Sequence, residues 1–295
     1  MAVRPSYNTV QLALEIAGVA AGPLRSVQPA PLRVERIAAS PGTSRSLASA
    51  AAVSLGAMAA EFDLGDKGPL LDWVAMLWLR KLAVIDGAVL VADHDRIEQR
   101  RIGFSEGVLR EVVLPTLSVA DAKKAFTIAL TWQPAQVDDQ PGSGKKIAAT
   151  VTKRKPLLTG NFRVLGLPFD GRMVREVGLP TARVALGRVD SRRPELLLAG
   201  FDGGELRLVV AGRSATEALA WVRKLVADGR IDAAEAIDIR VEMLDAALKS
   251  VLATIELRAC ALIGCEPSRL DSQADGIASV SLRFAVAETR LTIAG

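Results

Sequence analysis

A single histidine, two cysteines and one tyrosine leave this chain short of the usual tools of catalysis. His94 sits in an Asp93-His94-Asp95 turn, and no second cluster of ligands accompanies it, so it reads as an exposed turn residue rather than a metal ligand or general base. Cys260 and Cys265 are five residues apart in a predicted strand. That odd spacing points them to opposite faces, which argues against a mutual disulfide or a shared metal. No His, Cys or paired-carboxylate constellation has the spacing that an active site needs. Aromatic residues make up only 4% of the chain, too few for a set of base-stacking platforms along the basic pairs Arg100-Arg101, Lys123-Lys124 and Arg192-Arg193. A formal net charge of +4 is mild and does not by itself make a nucleic-acid binder. The longest apolar region, residues 69–92, is interrupted by Asp72, Arg80, Lys81 and Asp86 and does not read as a membrane span. The N-terminal residues, MAVRPSYNTV, lack the apolar core of a secretion signal, so the expectation is cytoplasmic assembly.

What the chain does have is a repeat. Trp73 and Trp221 lie 148 residues apart, and the apolar stripe Leu70, Trp73, Val74, Leu77, Trp78 shifts by that number onto Ala218, Trp221, Val222, Leu225, Val226. An upstream strand obeys the same shift, with Leu14, Ile16 and Gly18 falling on Phe162, Val164 and Gly166. At 295 residues there is room for two domains, each with its own core.

Periodicity gives each repeat the same plan. Gln11 to Ala17 alternates as a strand, and the proline-bearing stretch Gly22 to Pro31 reads as turns or an edge strand. Ser40 to Ser49 reads as a mobile loop. The Trp73 helix starts well at Pro69, and Arg80 and Lys81 suit its C-terminal end. A hairpin follows around the Asp93-His94-Asp95 turn, then a strand with Phe126, Ile128, Leu130 and Trp132 on one face. In the second repeat Ser214-Ala-Thr-Glu217 has the form of a capping box, and Gly229 is a helix stop. Asp202-Gly-Gly204 reads as a hairpin turn. Strands follow at Ile237 to Met243 and Val251 to Ile263. The final strand, Val280, Leu282, Phe284, Val286, matches Phe126 to Trp132 at an offset of 154, which implies a net insertion of six residues. Between the repeats, Gly142-Ser-Gly-Lys-Lys146 hints at a phosphate loop. The pattern fails, because Asp139 stands where the first glycine belongs and Lys146 where a hydroxyl belongs, so the stretch reads as a flexible linker.

The sequence of elements resembles the tail-tube proteins of contractile phages and related injection systems. The resemblance rests on the strand Leu12-Ala-Leu-Glu-Ile-Ala-Gly18, the helix Leu70-Leu-Asp-Trp-Val74, the bend Val112-Val-Leu-Pro-Thr-Leu117 and the strand Ala125 to Trp132. The second repeat echoes it in Ala220-Trp-Val222, Gly264-Cys-Glu-Pro267 and Ser279 to Val286. Members of that family usually carry a single, shorter copy. The resemblance implies a non-catalytic structural protein whose strands join those of its neighbours into a barrel around a lumen. Exposed sheet edges are liabilities unless paired, and ring closure removes them. Three chains of two domains each would then close a pseudo-six-fold ring.

The expectations are therefore these. The fold is mainly β with α (α+β), as two tandem antiparallel β-sandwich or barrel domains, each with one amphipathic helix. The domains span 1–137 and 161–295, with a flexible linker at 138–160. Trp73, Val74, Leu77, Trp221, Val222 and Leu225 form the structural core. No catalytic residue, cofactor or metal is expected. The expected partners are further copies of the chain in a ring, with a trimer as the candidate assembly, and other tube, baseplate or sheath proteins, with nucleic acid only through a lumen. A tandem β-domain module binding a protein or nucleic acid is the alternative, and steep salt dependence would mark the nucleic-acid version.

Overall fold

The computed structural model describes residues 10–36, 51–65, 68–147, 157–188, 196–229, 235–268 and 278–294. The expected mobile loop at 40–49, part of the expected linker (148–156) and the pair Arg192-Arg193 lie outside these residues. In chain order the first half contains β1 (Gln11–Ile16), β2 (Val19–Leu24), β3 (Ser26–Gln28), β4 (Leu32–Arg36), β5 (Ala51–Leu55) and β6 (Met58–Asp63). Helix α1 (Pro69–Trp78), β7 (Val84–Ala92), β8 (Glu98–Val113), β9 (Leu117–Ser118), β10 (Thr127–Gln133) and β11 (Gln136–Pro141) follow. The second half contains β12 (Phe162–Leu165), β13 (Val174–Gly178), β14 (Ala182–Arg188), β15 (Leu196–Asp202) and β16 (Glu205–Ala211). It closes with α2 (Gly212–Ala227), β17 (Ile237–Leu244), β18 (Val251–Pro267) and β19 (Ser279–Ile293). The expectation of a mainly β fold with two helices holds.

The chain divides into two compact units that interleave in sequence. One comprises Met1–Phe62, Ala83–Arg110 and Leu130–Thr150; the other comprises Asp63–Leu82, Glu111–Ala129 and Val151–Gly295. Strands β8 and β10 begin in one unit and end in the other, and α1, encoded in the first half, belongs to the second unit.

The two main sheets have a common order. The larger reads β2-β1-β7-β8-β10-β6-β3 and the smaller β12-β17-β18-β19-β16-β13-β9. Without β2 and β9, both run in the same six steps: opening strand, two strands of a hairpin, last strand, strand before the helix, short strand. The alternation of apolar residues explains why these strands form and which face they bury. Met58, Ala60 and Phe62 of β6 are buried, as are Leu206, Leu208 and Val210 of β16, again 148 residues on. Phe126, Ile128, Leu130 and Trp132 are all buried at 1% exposure or less, which makes this stripe the centre of its core. β2 carries Pro23 and stands at the end of the larger sheet, where a missing N–H costs no ladder bond.

Several local expectations give way. The described part of the linker is ordered by pairing: β11 lies antiparallel on β8, with Val137 opposite Phe104, and Lys146 bridges Ile97. Gly142 serves close approach, since a Cβ there would collide with the Glu98 carbonyl oxygen, and Gly144 supplies a φ of +68°. Asp202-Gly-Gly204 is not a hairpin turn. β15 pairs with β14 and β16 with β19, so the turn carries the chain from one sheet to another. Asp202 Oδ1 accepts the Gly204 N–H at 2.9 Å, and Gly204 takes φ +72°. The capping box is absent: α2 starts at Gly212, Ser214 is buried, and Glu217 accepts from Arg213 Nε instead. Gly264 to Pro267 is no bend but the end of β18, paired with β19. Gly229 does end α2, with φ +65°. Arg80 follows the end of α1 at φ +57°, and its guanidinium is engaged elsewhere.

Candidate assembly surfaces

Each sheet holds the same locking device, built from an aspartate and a bulge. In the first unit Asp86 Oδ1 accepts the N–H of Glu106, a residue at φ +50°. In the second, Asp238 Oδ1 accepts the N–H of Ala259, at φ +49°. A non-glycine residue at positive φ is strained, and the carboxylate hydrogen bond compensates it. Gly18 (φ +78°) and Gly166 (φ +87°) stand beside these aspartates; at Gly166 a Cβ would collide with the Asp238 carbonyl oxygen at 2.1 Å. The sequence carried a signal for this pair in Ile85-Asp86 and Ile237-Asp238, 152 residues apart.

These locks also fix the register of the closing strands. Phe104, two residues before the first bulge, faces Val137 on β11; Leu257, two before the second, faces Thr289 on β19. The true offset of the closing strands is therefore 152, not 154, and β10 with β11 together occupy the place that β19 fills alone. A break at Pro134-Ala135 separates the two pieces.

Beside each lock lies a cleft. The first, about 520 Å³, is walled by Glu15, Asp86, Arg101, Phe104, Gln136 and Asp138. The second, about 340 Å³, is walled by Gly166, Asp238, Arg240, Glu256 and Arg258. Their charged groups are already occupied with one another. Arg101 donates to both oxygens of Glu15 at 2.9 and 3.0 Å and to Glu98 at 3.1 Å, and Glu98 also accepts from Ser143. The Glu15 hydrogen bonds, before any other cause, raise the pKa of Arg101. Arg100 is tied to Asp139. The pair Arg100-Arg101 is thus satisfied within the protein rather than held ready for phosphates.

The turn around His94 is likewise a structural knot. Asp93 accepts from the N–H groups of Ile97 and Asp95 and from Gln99 Nε2; the Ile97 bond above all holds its carboxyl below the ordinary range. His94 is exposed, 3.1 Å from Asp95. Among the described residues no group of three or more His, Cys, Asp or Glu could hold a metal ion. The cysteines are free, Cys260 buried and Cys265 half-buried on the same strand; burial pushes the Cys260 thiol up to about 12.

The six residues expected in the core fall into two groups. Trp73, Val74 and Leu77 of α1 are buried, as are Leu70 and Trp78 of the same stripe. Within its unit α1 touches β19, and Arg80 just beyond it donates to the Ala287 carbonyl at 3.2 Å and lies over the Phe201 ring at 5.1 Å. Trp221, Val222 and Leu225 of α2 are only half-buried, and Val226 is 57% exposed. Here the buried residues are Ser214, Ala215 and Ala218. Trp221 leans on Phe169 and Phe284, at 6.2 and 6.5 Å between centroids. The apolar face of α2 is thus covered over its first turns and uncovered over its last two.

Exposed apolar side chains gather on one more element. β4 and β5 form a two-stranded hairpin of their own, with Leu32 72% and Val34 60% exposed. In the second half the hairpin β14–β15 holds the corresponding place before the strand that leads to the helix, and there Val184 is buried at 5%. No helix among the described residues is long and apolar enough to cross a membrane.

No family model and no curated protein sequence matches this chain. Among solved structures, a chain of the six-fold symmetrised baseplate of the anti-feeding prophage superimposes with a TM-score of 0.34 at 11% identity, over 44% of this chain and 90% of that one. A chain of the PVC extracellular contractile injection system, in its sheath–tube complex, gives 0.36 at 14% over 45% and 88%. A chain of the anti-feeding prophage tube-terminating cap gives 0.36 at 15% over 52% and 98%. These neighbours are parts of multi-protein injection particles. Superpositions this loose, at such identities, assign no role to the present chain.

Proposed function

We propose that the chain is a non-catalytic structural component of a phage tail or tail-like contractile injection particle, a tube, tube-initiator or cap subunit built from a tandem duplication. The observation that carries the reading is the common six-strand order of the two sheets, each with its aspartate-locked bulge. Two copies of one β-fold in a single chain give a protein that can repeat a head-to-tail interface, and such interfaces close into rings. The resemblance of the first repeat to tail-tube proteins supplies the kind of particle. Three chains would present six such folds, a geometry suited to joining a three-fold part to a six-fold tube, with nucleic acid or cargo meeting it only through a lumen. The domains at 1–137 and 161–295 are then the units of duplication.

The test is to decorate tail-like particles, sedimented from the cells that make this protein, with gold-labelled antibody against the chain. Label at a defined end or along the tube is the expected result. Particles that assemble fully and carry none of the chain would refute the reading.

A further inference from the structure

We infer that the uncovered C-terminal half of α2 is a docking surface for a second copy of this chain, and that it binds the β4–β5 hairpin and the β10–β11 corner of that copy. The inference rests on the ring reading above and names the surfaces that would make the ring.

The argument begins with what covers α1. The stripe Leu70, Trp73, Val74, Leu77, Trp78 is buried along its whole length, and beyond it Arg80 is anchored on Ala287 of β19 and Phe201 of β15. The corresponding stripe of α2 lies on one helix face with Ser214, Ala215 and Ala218; from Trp221 onward it is only half-buried, and Val226 is 57% exposed. Among the described residues of its unit, nothing anchors the end of α2 as Ala287 and Phe201 anchor Arg80 beyond α1.

The first half of the chain contains the counterparts of that cover, and they too are exposed. By the register of the locks, Ala287, whose carbonyl Arg80 reaches, corresponds to Ala135 at the β10–β11 corner, and both side chains are exposed. Phe201 pairs with Val184 across β14–β15; 148 residues before Phe201 stands Val53, which pairs with Val34 across β4–β5. Val184 is buried and Val34 is 60% exposed. An apolar helix face without cover and an apolar hairpin without cover thus stand at positions whose equivalents are buried in one unit of the same molecule. An exposed apolar patch of this kind marks an interaction site.

Charge agrees with the pairing. Arg223 and Lys224 are exposed and flank the α2 stripe, while Asp138 is exposed on β11 next to the corner. The contact is head-to-tail, because each chain offers one helix and one hairpin, and repetition closes a ring.

The test uses two chains on a Cys260→Ala, Cys265→Ser background, each with a single introduced cysteine, Val226→Cys in one and Val34→Cys in the other, mixed and oxidised. A cross-link between unlike chains is expected in the mixture, and it cannot arise within one chain. Replacing Val34→Cys by Val19→Cys, on an exposed strand at the far end of the sheet, should lower the yield at least tenfold. In parallel, Leu225→Asp should weaken self-association about a hundredfold while the thermal midpoint of the isolated chain stays within a few degrees of the parent. No cross-link above the Val19→Cys level, or unchanged association of the Leu225→Asp chain, would overturn the inference. Either result leaves antibody labelling of particles unaffected, so the larger reading stands or falls separately.

Discussion

Helices α1 and α2 occupy the same place in the same strand order, yet one is buried and the other is half bare. α1 is apolar in nine of ten positions, Asp72 alone being polar, and a helix of that composition must be covered on more than one side. α2 alternates its apolar face with Arg213, Thr216, Glu217, Arg223 and Lys224, so it tolerates water on one side. The comparison teaches that two sheets of one strand order need not cover their helices alike: the stripe of α1 is buried, and that of α2 is only half-buried over its last turns.

The largest expected effect breaks the comparison at its tryptophans. Trp73→Ala removes a side chain only 3% exposed and should cost about 3–5 kcal/mol in chemical denaturation. Trp221→Ala, in dissociated chain, should cost roughly 1–2 kcal/mol, because that side chain is only half-buried. Equal costs would erase the distinction between the helices. Next comes Arg80→Ala, which deletes the bond to Ala287 and the contact with Phe201; a loss of about 1–2 kcal/mol is expected. The matching change beyond α2, Asp228→Ala, should stay within about 0.5 kcal/mol.

A smaller effect sharpens the likeness of the sheets. Asp86→Ala and Asp238→Ala each remove the acceptor that holds a positive-φ residue, and each should cost about 1 kcal/mol. Glu106→Gly and Ala259→Gly should recover part of that loss in the respective variants, since glycine takes φ near +50° without strain. Failure of both rescues would deny that the bulges are equivalent.

The smallest concerns the thiols. Cys260, lifted to about 12 from an ordinary 9.0 by burial, should resist an alkylating reagent at pH 8 in the native chain, and Cys265 should react first. The sign of the linkage follows. A thiol whose pKa is raised on folding adds stability that is intact below pH 9.0 and is lost as pH rises through the interval to about 12. Mass spectrometry of the labelled peptides decides the order of reaction.

The common strand order of the two sheets was foreshadowed in the sequence because tryptophans are rare and the stripes of Trp73 and Trp221 share one offset. The strands around Phe126 and Phe284 were legible because each buries one face, which gives a clean period of two. The exchange between units was not. A local pattern reports which face of α1 is apolar and says nothing of which strand covers it, so the role of Arg80 looked like a helix-dipole effect. β11 was hidden by its composition, since Gln136-Val-Asp-Asp-Gln-Pro141 is polar and reads as linker; its pairing to β8 is carried by backbone groups. The register error of two residues in the last strand has a simple source: a shift of two keeps every side chain on its face, so alternation alone cannot detect it. The uncovered half of α2 was invisible for the same reason as the cover of α1, because exposure depends on the partners that the fold brings near.

The most direct test of the account is native mass spectrometry of the purified chain with negative-stain imaging of the same sample. Three chains of 31.2 kDa should give a closed species of about 94 kDa, or multiples of it, with a central hole. A species of 31.2 kDa that persists at high concentration, with no ring in the images, would contradict the account.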